Sequence, residues 1–422
     1  MKRVLLLMTS RTYRAGAFLD AARALGVDVV VGSERPQALA FAHPPGHLTL
    51  DFARPERAAD AVAAFARRRP IDAVVAVDDD GVVLAALAAE RLGLRHASAA
   101  AVRASRDKHA MRERLAAQGV DAHWFVRFGA DADPEAAARR VRYPCVLKPT
   151  SLSASRGVIR ADDPRGFTAA FRRTAAIAEA ARASELDRGG GRWILVEEFL
   201  PGAEVAVEAV LTRGRLRVLA VFDKPDPLDG PFFEETIYVT PSRLVASALA
   251  EIAGAAARAA RALGLDHGPL HAELKWDGRR AAVVEIAPRS IGGLCSRALR
   301  FSDGASLESM LLRHALGDPL DGVEREAQAS GVMMLPIPMA GRLAAVHGLD
   351  DARRVAHVED VRITIPIGDK LVPLPEGSRY LGFVFARAET AAPVEAALRA
   401  AHGALRFEIE AEQEAPGERA VP

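Results

Sequence analysis

The sequence predicts an α/β fold with an α+β core, and three observations carry that prediction. Apolar, β-branched runs of strand length alternate with Ala-rich helical stretches through residues 1–100. Beyond about residue 120, short strands and then longer ones surround a few long helices. Half of the 422 residues are hydrophobic and 26% are charged, the balance of a chain that buries a large core. At roughly 150 residues per domain, this length predicts two to three domains.

The runs at 4–8, 27–31 and 73–77 are continuous rather than alternating, as parallel strands covered on both faces require. Helical stretches at 16–25, 55–68 and 81–92 fall between and after them, which makes an open α/β unit. Met1-Lys2-Arg3 before an apolar run resembles the start of a signal peptide. The run is short and gives way to Thr9-Ser10-Arg11, so it is assigned to the first strand. The turn at 9–16 lacks Gly-x-Gly-x-x-Gly, so no dinucleotide site is predicted there. Asp78-Asp79-Asp80 follows the third strand at its carboxyl end, where α/β sheets place ligands; it reads equally well as a solvated turn capping the next helix.

Ser105-Arg106-Asp107-Lys108 opens a helix expected to reach Gln118 and to close at Gly119. Short strands follow at 124–128, 145–148, 157–161 and 193–199, around a long Ala/Arg helix from 164 to about 186. Gly189-Gly190-Gly191 is a turn after that helix. Longer strands are expected at 204–212, 216–222, 270–276 and 281–286, interrupted by a helix at 243–263 that ends in Gly264. The segment 330–410 is strand-rich, with Pro336, Pro338, Pro366, Pro373 and Pro375 marking turns, and the acidic tail from Glu408 is expected to fray. No fixed period runs through the chain, so it is not a repeat protein.

Composition narrows the function. Lys+Arg 56 against Asp+Glu 55 leaves a net charge of +1, and aromatics are 5%, which argues against nucleic acid as a partner. Cys145 and Cys295 are too few for a disulfide framework or a Cys-rich zinc site. The longest apolar runs are strand-sized, so no membrane span is predicted. The expectation is a soluble cytoplasmic enzyme, with a homodimer as the default assembly. Lysine occurs only six times, and Lys108, Lys148 and Lys224 stand where a compact ammonium suits the chemistry better than a planar guanidinium.

Three segments carry that chemistry. In Cys145-Val-Leu-Lys148-Pro-Thr-Ser151-Leu-Ser153-Ala-Ser155-Arg-Gly157, a lysine ends a strand before a Ser/Gly loop. Hydroxyls and backbone N–H groups there can close over phosphate oxygens while the ammonium offsets their charge; a plain hairpin turn is the alternative. In Glu197-Glu198-Phe199-Leu200-Pro-Gly202-Ala-Glu204, a strand ending in two acids before Pro-Gly can form a hinge that reads an adenine edge, or a strand–turn–strand with solvated acids. Further on, His271-Ala-Glu273-Leu-Lys275 and Glu285-Ile-Ala-Pro-Arg289-Ser-Ile-Gly292-Gly293 place two carboxylates on adjacent strands around Gly278. Such a pair repels unless a cation joins it, and hard oxygens beside phosphate suit Mg²⁺ or Mn²⁺; ion pairs to neighbouring Arg are the alternative.

Taken together, the order of these segments resembles the ATP-grasp superfamily. Glu285-Ile-Ala-Pro-Arg289 resembles its carboxylate–amine ligase branch, which includes L-amino-acid ligases and carnosine-synthase-like enzymes. The resemblance implies an N-terminal open parallel α/β domain at 1–104 and an ATP-grasp core at 105–320, with its small lobe near 120–200 and its large lobe near 201–320. A C-terminal strand-rich portion at 321–422 would complete the large lobe. It implies that Lys108 and Lys148 hold the ATP phosphates under a loop containing Ser151, Ser153, Ser155 and Gly157. Glu197, Glu198, Phe199 and Leu200 would bind adenine, and Glu204 the ribose. Glu273 and Glu285 would hold two Mg²⁺ ions, and Arg289 would stabilise the phosphoryl group or a substrate carboxylate beside Gly292 and Gly293. Ala287 stands where many relatives have Asn. The stretch Asp223-Lys224 to Pro241 resembles the family's substrate loop, in which Glu235 would bind an α-ammonium. There Ile237-Tyr238 replaces a Gly-His pair, and Lys224 and Tyr238 fall at the substrate. The implied reaction joins a carboxylate to an amine, both amino acids, through an acyl phosphate with release of ADP. The competing readings are a carboxylase-like or purine-biosynthesis enzyme and an ATP-binding regulator without turnover.

Overall fold

The computed structural model describes residues 1–36, 46–183 and 192–411, and four sheets organise them. The first sheet is parallel throughout, in the order His47–Thr49, Asp28–Ser33, Arg3–Leu7, Ala73–Ala76. Val4, Leu5, Leu6 and Leu7 have no exposed surface, as a strand covered on both faces demands. His47–Thr49 was not predicted: it has only three residues and lies at the sheet edge, too short to show a hydrophobic pattern.

The helix expected to open at Ser105–Lys108 and reach Gln118 is Lys108–Ala117, and a separate helix that was not expected, Ala99–Arg106, precedes it. Ser98 caps Ala99–Arg106 by accepting from the Ala101 N–H, and Asp107 caps Lys108–Ala117 by accepting from the Ala110 N–H. Asp107 is extended, at φ −113° and ψ 113°, so the chain breaks there and Lys108 becomes the first residue of its helix.

A four-stranded antiparallel sheet follows, in the order Phe125–Gly129, Trp193–Glu198, Cys145–Pro149, Ile159–Ala161. The helix Pro164–Arg182 packs on it through Phe167, Ala170 and Phe171. The predicted end of this helix near 186 and the Gly189–Gly191 turn lie outside the described residues.

The largest sheet has eight antiparallel strands: Ala281–Ala287, Gly268–Trp276, Ala203–Thr212, Arg215–Asp223, Ile237–Thr240, Ala329–Leu335, Gly382–Ala388 and Val358–Ile363. Alternation along Ala203–Thr212 gives its two faces opposite characters. Val205, Val207, Ala209 and Leu211 join an apolar cluster with Ile252, Ala256 and Leu263 of the helix Ala246–Leu263 and with Leu5 and Leu7 of the first sheet. Glu204, Ala206 and Glu208 point the other way, and that face carries the site.

Beyond residue 320 the chain holds more helix than expected. Ala391–Ala404 covers the back of the large sheet through Val394, Ala397 and Leu398. Glu408 is paired with Ala345 in a small sheet of Lys370–Leu371, Gly341–His347 and Arg406–Glu410, rather than frayed. Residues past 411 lie outside the described ones. Among the described residues, no helix is long and apolar enough to cross a membrane.

Candidate active site

The charged face of the large sheet is the floor of a cavity of about 980 Å³. Its residues follow from strand register. Glu285 lies directly opposite Glu273, which lies opposite Ala206; Ala287 lies opposite His271, which lies opposite Glu208; Lys275 lies opposite Glu204. His271, Glu273 and Lys275 are alternate residues of one strand, so all three share this face. His271 is buried between two acids, its Nδ1 2.5 Å from Glu208 and its Nε2 3.4 Å from Glu273. Burial works against the imidazolium, but these hydrogen bonds outweigh it and raise the His271 pKa to about 9.

Lys224 does not reach the cavity, although the sequence placed it at the substrate. Its ammonium sits beneath the floor, 2.7 Å from Glu204 Oε1 and 3.1 Å from Glu273 Oε1, in contact with Glu235 and 5.0 Å from the centre of the Tyr238 ring. Glu204 also faces Lys275 at 3.3 Å, so its carboxylate is engaged by two lysines. Burial opposes ionisation of Glu273, yet Lys224 and His271 hold its pKa well below the usual carboxylate range. Burial and the Glu273 charge push Glu235 the other way, to about 7, against the pull of Lys224.

One helix ties this floor to the small sheet. Lys108 Nζ donates to the Leu152 carbonyl at 2.6 Å and stands 3.5 Å from Glu285 Oε2. Arg112, one turn on, forks onto Glu197 at 2.6 and 3.3 Å and donates to the carbonyls of Val283 and Val284. Lys148 Nζ lies 2.6 Å from the other side of the same carboxylate. Despite burial, Arg112 and Lys148 keep Glu197 well below its ordinary pKa. Glu197 is therefore the joint between two cations, and it lines the cavity together with Glu198, Phe199 and Leu200. Arg112 was not singled out from the sequence; its only signal is the four-residue spacing from Lys108, hidden in an Arg-rich chain.

Ser153 and Ser155 line the cavity, whereas Ser151 and Gly157 do not. Gly157 has φ +70°, and a Cβ there would lie 2.8 Å from the Pro149 ring, so the glycine serves close packing. Ala154 and Ser155 also adopt positive φ, at 56° and 53°. Left-handed backbone costs roughly 1–2 kcal/mol at each non-glycine residue, and such strain clusters at ligand clamps.

The Asp78–Asp80 turn resolves in favour of the cavity, which all three aspartates line. Arg289 donates to Asp79 Oδ2 at 2.8 Å and to the Ser290 carbonyl, and Arg106 lies 3.1 Å from Asp79 Oδ1. Against burial, these guanidinium charges lower the Asp79 pKa, and Asp79 raises that of Arg289. Arg14, 1% exposed and also unforeseen, bonds the Val77 carbonyl, Ser290 Oγ and Glu308. Tyr238, Gly292 and Gly293 line the same cavity.

The donor set suits a divalent cation at Glu273 and Glu285, since these opposed hard-oxygen ligands open to the cavity with side chains 18% and 25% exposed. The oxygens of Glu204, Glu235 and Glu273 also lie within 4.8 Å of one another, but the Lys224 ammonium stands among them.

Comparison with known proteins agrees with this architecture. Residues 141–298 match the ATP-grasp domain, 19–96 the ATP-grasp N-terminal domain, and 333–410 the L-amino acid ligase C-terminal domain 2. The chain is 28% identical to alanine–anticapsin ligase of Bacillus amyloliquefaciens over 66% of its own length and 60% of that relative's. It is 31% identical to carnosine synthase 1 of Gallus gallus over 78% of its length and 38% of the relative's. The chain thus spans less than two thirds of these curated relatives. The crystal structure of an L-amino acid ligase from Bacillus licheniformis superposes with a TM-score of 0.82 at 25% identity, covering 97% of this chain and 99% of that one. The chain belongs to the ATP-grasp superfamily. Within it, these similarities are to ligases: the L-amino acid ligase C-terminal domain 2, alanine–anticapsin ligase and carnosine synthase 1.

Proposed function

We propose that the protein is an ATP-dependent ligase that joins the carboxylate of one amino acid to the amine of another and releases ADP and phosphate. One observation carries this reading: Lys108, Lys148, Glu273, Glu285 and Arg289 come from a helix, three strands and the turn after the last of them, and line one cavity. A carboxylate is a poor electrophile, and phosphorylation supplies its leaving group. A carboxylate oxygen attacks the γ-phosphorus, the bond to ADP breaks, and an acyl phosphate forms. The amine nitrogen, as the free base, then attacks the acyl carbon, the C–O bond to phosphate breaks, and the nitrogen's proton passes to the departing phosphate.

Lys108 and Lys148 offset the phosphate charge, Phe199 and Leu200 grip the base, and Ser153 and Ser155 cover the phosphates and exclude water. Arg289, oriented by Asp79, holds the reacting carboxylate, and Glu235 holds an ammonium. Glu273 and Glu285 would hold the Mg²⁺ or Mn²⁺, two ions in our reading, whose bound charge draws electron density from the phosphates. We place the unit boundaries at 1–104, 105–320 and 321–422, and the enzyme in the cytoplasm. The match to the L-amino acid ligase C-terminal domain favours this reading over a carboxylase or a purine-biosynthesis enzyme.

A matrix of amino-acid pairs assayed for released phosphate and nucleotide tests it. ADP release that depends on an added pair is the expected result; AMP with pyrophosphate, or no turnover with any pair, rejects it. Glu235→Gln should raise the KM for the amine at least tenfold and leave the KM for ATP within twofold.

A further inference from the structure

The Ser/Gly loop at 151–157 is held from outside by the C-terminal part of the chain, and nothing in the reaction above uses that contact. The Gly157 N–H donates to the Pro375 carbonyl at 2.8 Å, and Arg156 Nε donates to the Glu376 carbonyl at 3.0 Å. Arg173, on the helix Pro164–Arg182, forks onto the Glu376 carboxylate at 2.6 and 2.9 Å. Its neighbour Thr174 donates from Oγ1 to the Gly157 carbonyl at 3.0 Å, which ties the helix to the loop. On its other side the Arg173 guanidinium lies 4.9 Å from the centre of the Phe232 ring, on the segment that carries Glu235.

The turn at 372–378 is built as a fixed anchor. The Gly377 N–H donates to the Pro373 carbonyl at 2.8 Å, and a Cβ on Gly377 would collide with the Val372 carbonyl oxygen, so the turn is closed on itself. Leu371 before it pairs with Gly341 in the small sheet, and the Leu381 N–H after it donates to the Leu335 carbonyl of the large sheet. Both partners reach the cavity: Ser153, Ala154 and Ser155 line it from the loop, Ser378 and Arg379 from the end of the turn. Arg173 and Glu376 themselves stand at the rim, with side chains 45% and 41% exposed. A pair so exposed adds little to overall stability, but its two-pronged geometry fixes how the loop sits. Lifting the loop from the phosphates pulls these partners apart.

We infer that Arg173 and Glu376 are positioning residues: their ion pair latches the 151–157 loop against the turn at 372–378, and the nucleotide leaves only after the latch opens. This rests on the ligase reading for the nucleotide in the cavity and adds what gates its exchange.

The test is stopped-flow release of a fluorescent ADP analogue, mant-ADP, from the full chain with Mg²⁺ and without amino acids. Glu376→Ala should speed release at least threefold. Glu376→Arg, which sets like charges face to face, should speed it at least tenfold. Both variants should keep the urea unfolding midpoint of wild type. Combining Arg173→Glu with Glu376→Arg exchanges the ends of the pair and should bring the rate back to within twofold of wild type, a rescue that lost packing would not give. Release unchanged in both single variants would overturn the latch and keep the ligase, as would a double variant no slower than Glu376→Arg. Faster release in the single variants with the rescue, but no ADP formed with any amino-acid pair, would keep the latch and remove the ligase. No binding of the analogue would remove both.

Discussion

At the scale of single residues, the site is a set of charges kept tolerable by their neighbours, and Lys224 is the sharpest case. Three carboxylates, Glu204, Glu235 and Glu273, crowd around its ammonium below the cavity floor. Removing one partner of a buried ionic cluster costs about 3–5 kcal/mol, because the others stay desolvated and unpaired. The Lys224 pKa lies well above its ordinary value despite burial, raised by these acids, so its contribution is complete at pH 6 and at pH 8 and is lost only under strongly alkaline conditions. In Lys224→Met the bare carboxylates can be relieved by protonating Glu235, whose pKa is already about 7. The deficit against wild type should be about 3 kcal/mol at pH 8 and smaller at pH 6, measured by urea unfolding. An equal deficit at both values would show that charge is not the cause. Glu273 and Glu285 could be read as a facing pair from the sequence, because a hairpin of two alternating strands around Gly278 leaves few registers. Lys224 lying beneath the floor could not. Nor could the Arg112–Glu197 and Arg289–Asp79 pairs, which join residues 85 and 210 positions apart. Only tertiary packing decides among the many Arg residues of this chain.

Elements repeat the pattern: what is local was readable, and what needs a partner was not. The central strands of the parallel sheet announced themselves as unbroken apolar runs, and Gly264 marked a helix end with φ +78°. The helix from Lys108 was legible, but Ala99–Arg106 before it was not, and of the candidate caps between 105 and 108 it is Asp107 that accepts from the Ala110 N–H. Where the helix Leu307–Ala315 meets the start of the strand Gly268–Trp276, His314 stacks on His267 at 4.6 Å. Burial, then the charges of His314, Arg95, His96 and Arg213, lower the His267 pKa to about 4. Its ordinary value is about 6.5, so the unfolded chain takes up the proton first. This histidine therefore reduces stability progressively as pH falls from 6.5 to 4, and adds no further loss below that. His267→Gln should flatten the acid side of the Tm-against-pH curve by up to about one proton per unfolding event. His96 and His314 are also shifted down and keep the rest of the slope. A variant curve parallel to wild type across that range would rule this account out.

At the scale of the whole molecule, the cavity exists because the N-terminal unit is locked against the large sheet, and the lock is partly ionic. Apolar clusters cross the boundary, but so do Arg14 to Ser290 and Glu308, and Asp79 to Arg289. Asp79 stands at the centre: it ends the strand-and-turn of the parallel sheet, faces Arg106 at the end of a helix, and receives Arg289 from the large-lobe hairpin. Its lowered pKa means that it is ionised across the working range, so its stabilisation is present at neutral pH and is lost only in strong acid. Asp79→Asn preserves the shape and removes the charge. It leaves two guanidinium groups facing each other in a partly buried space, which should lower stability by about 2 kcal/mol, between the surface and the fully buried case. Because these pairs are only partly exposed, the loss should depend less on salt than that of a surface ion pair. The functional consequence follows from the same geometry. Without Asp79, Arg289 keeps only its bond to the Ser290 carbonyl, so in the proposed reaction kcat should fall at least tenfold while the KM for ATP stays within twofold. Urea midpoints at two salt concentrations and steady-state kinetics read the two effects separately. A variant with the wild-type midpoint would mean that apolar packing alone holds the N-terminal unit in place. A KM for ATP that rises together with the fall in kcat would mean that Arg289 serves the nucleotide rather than the acid.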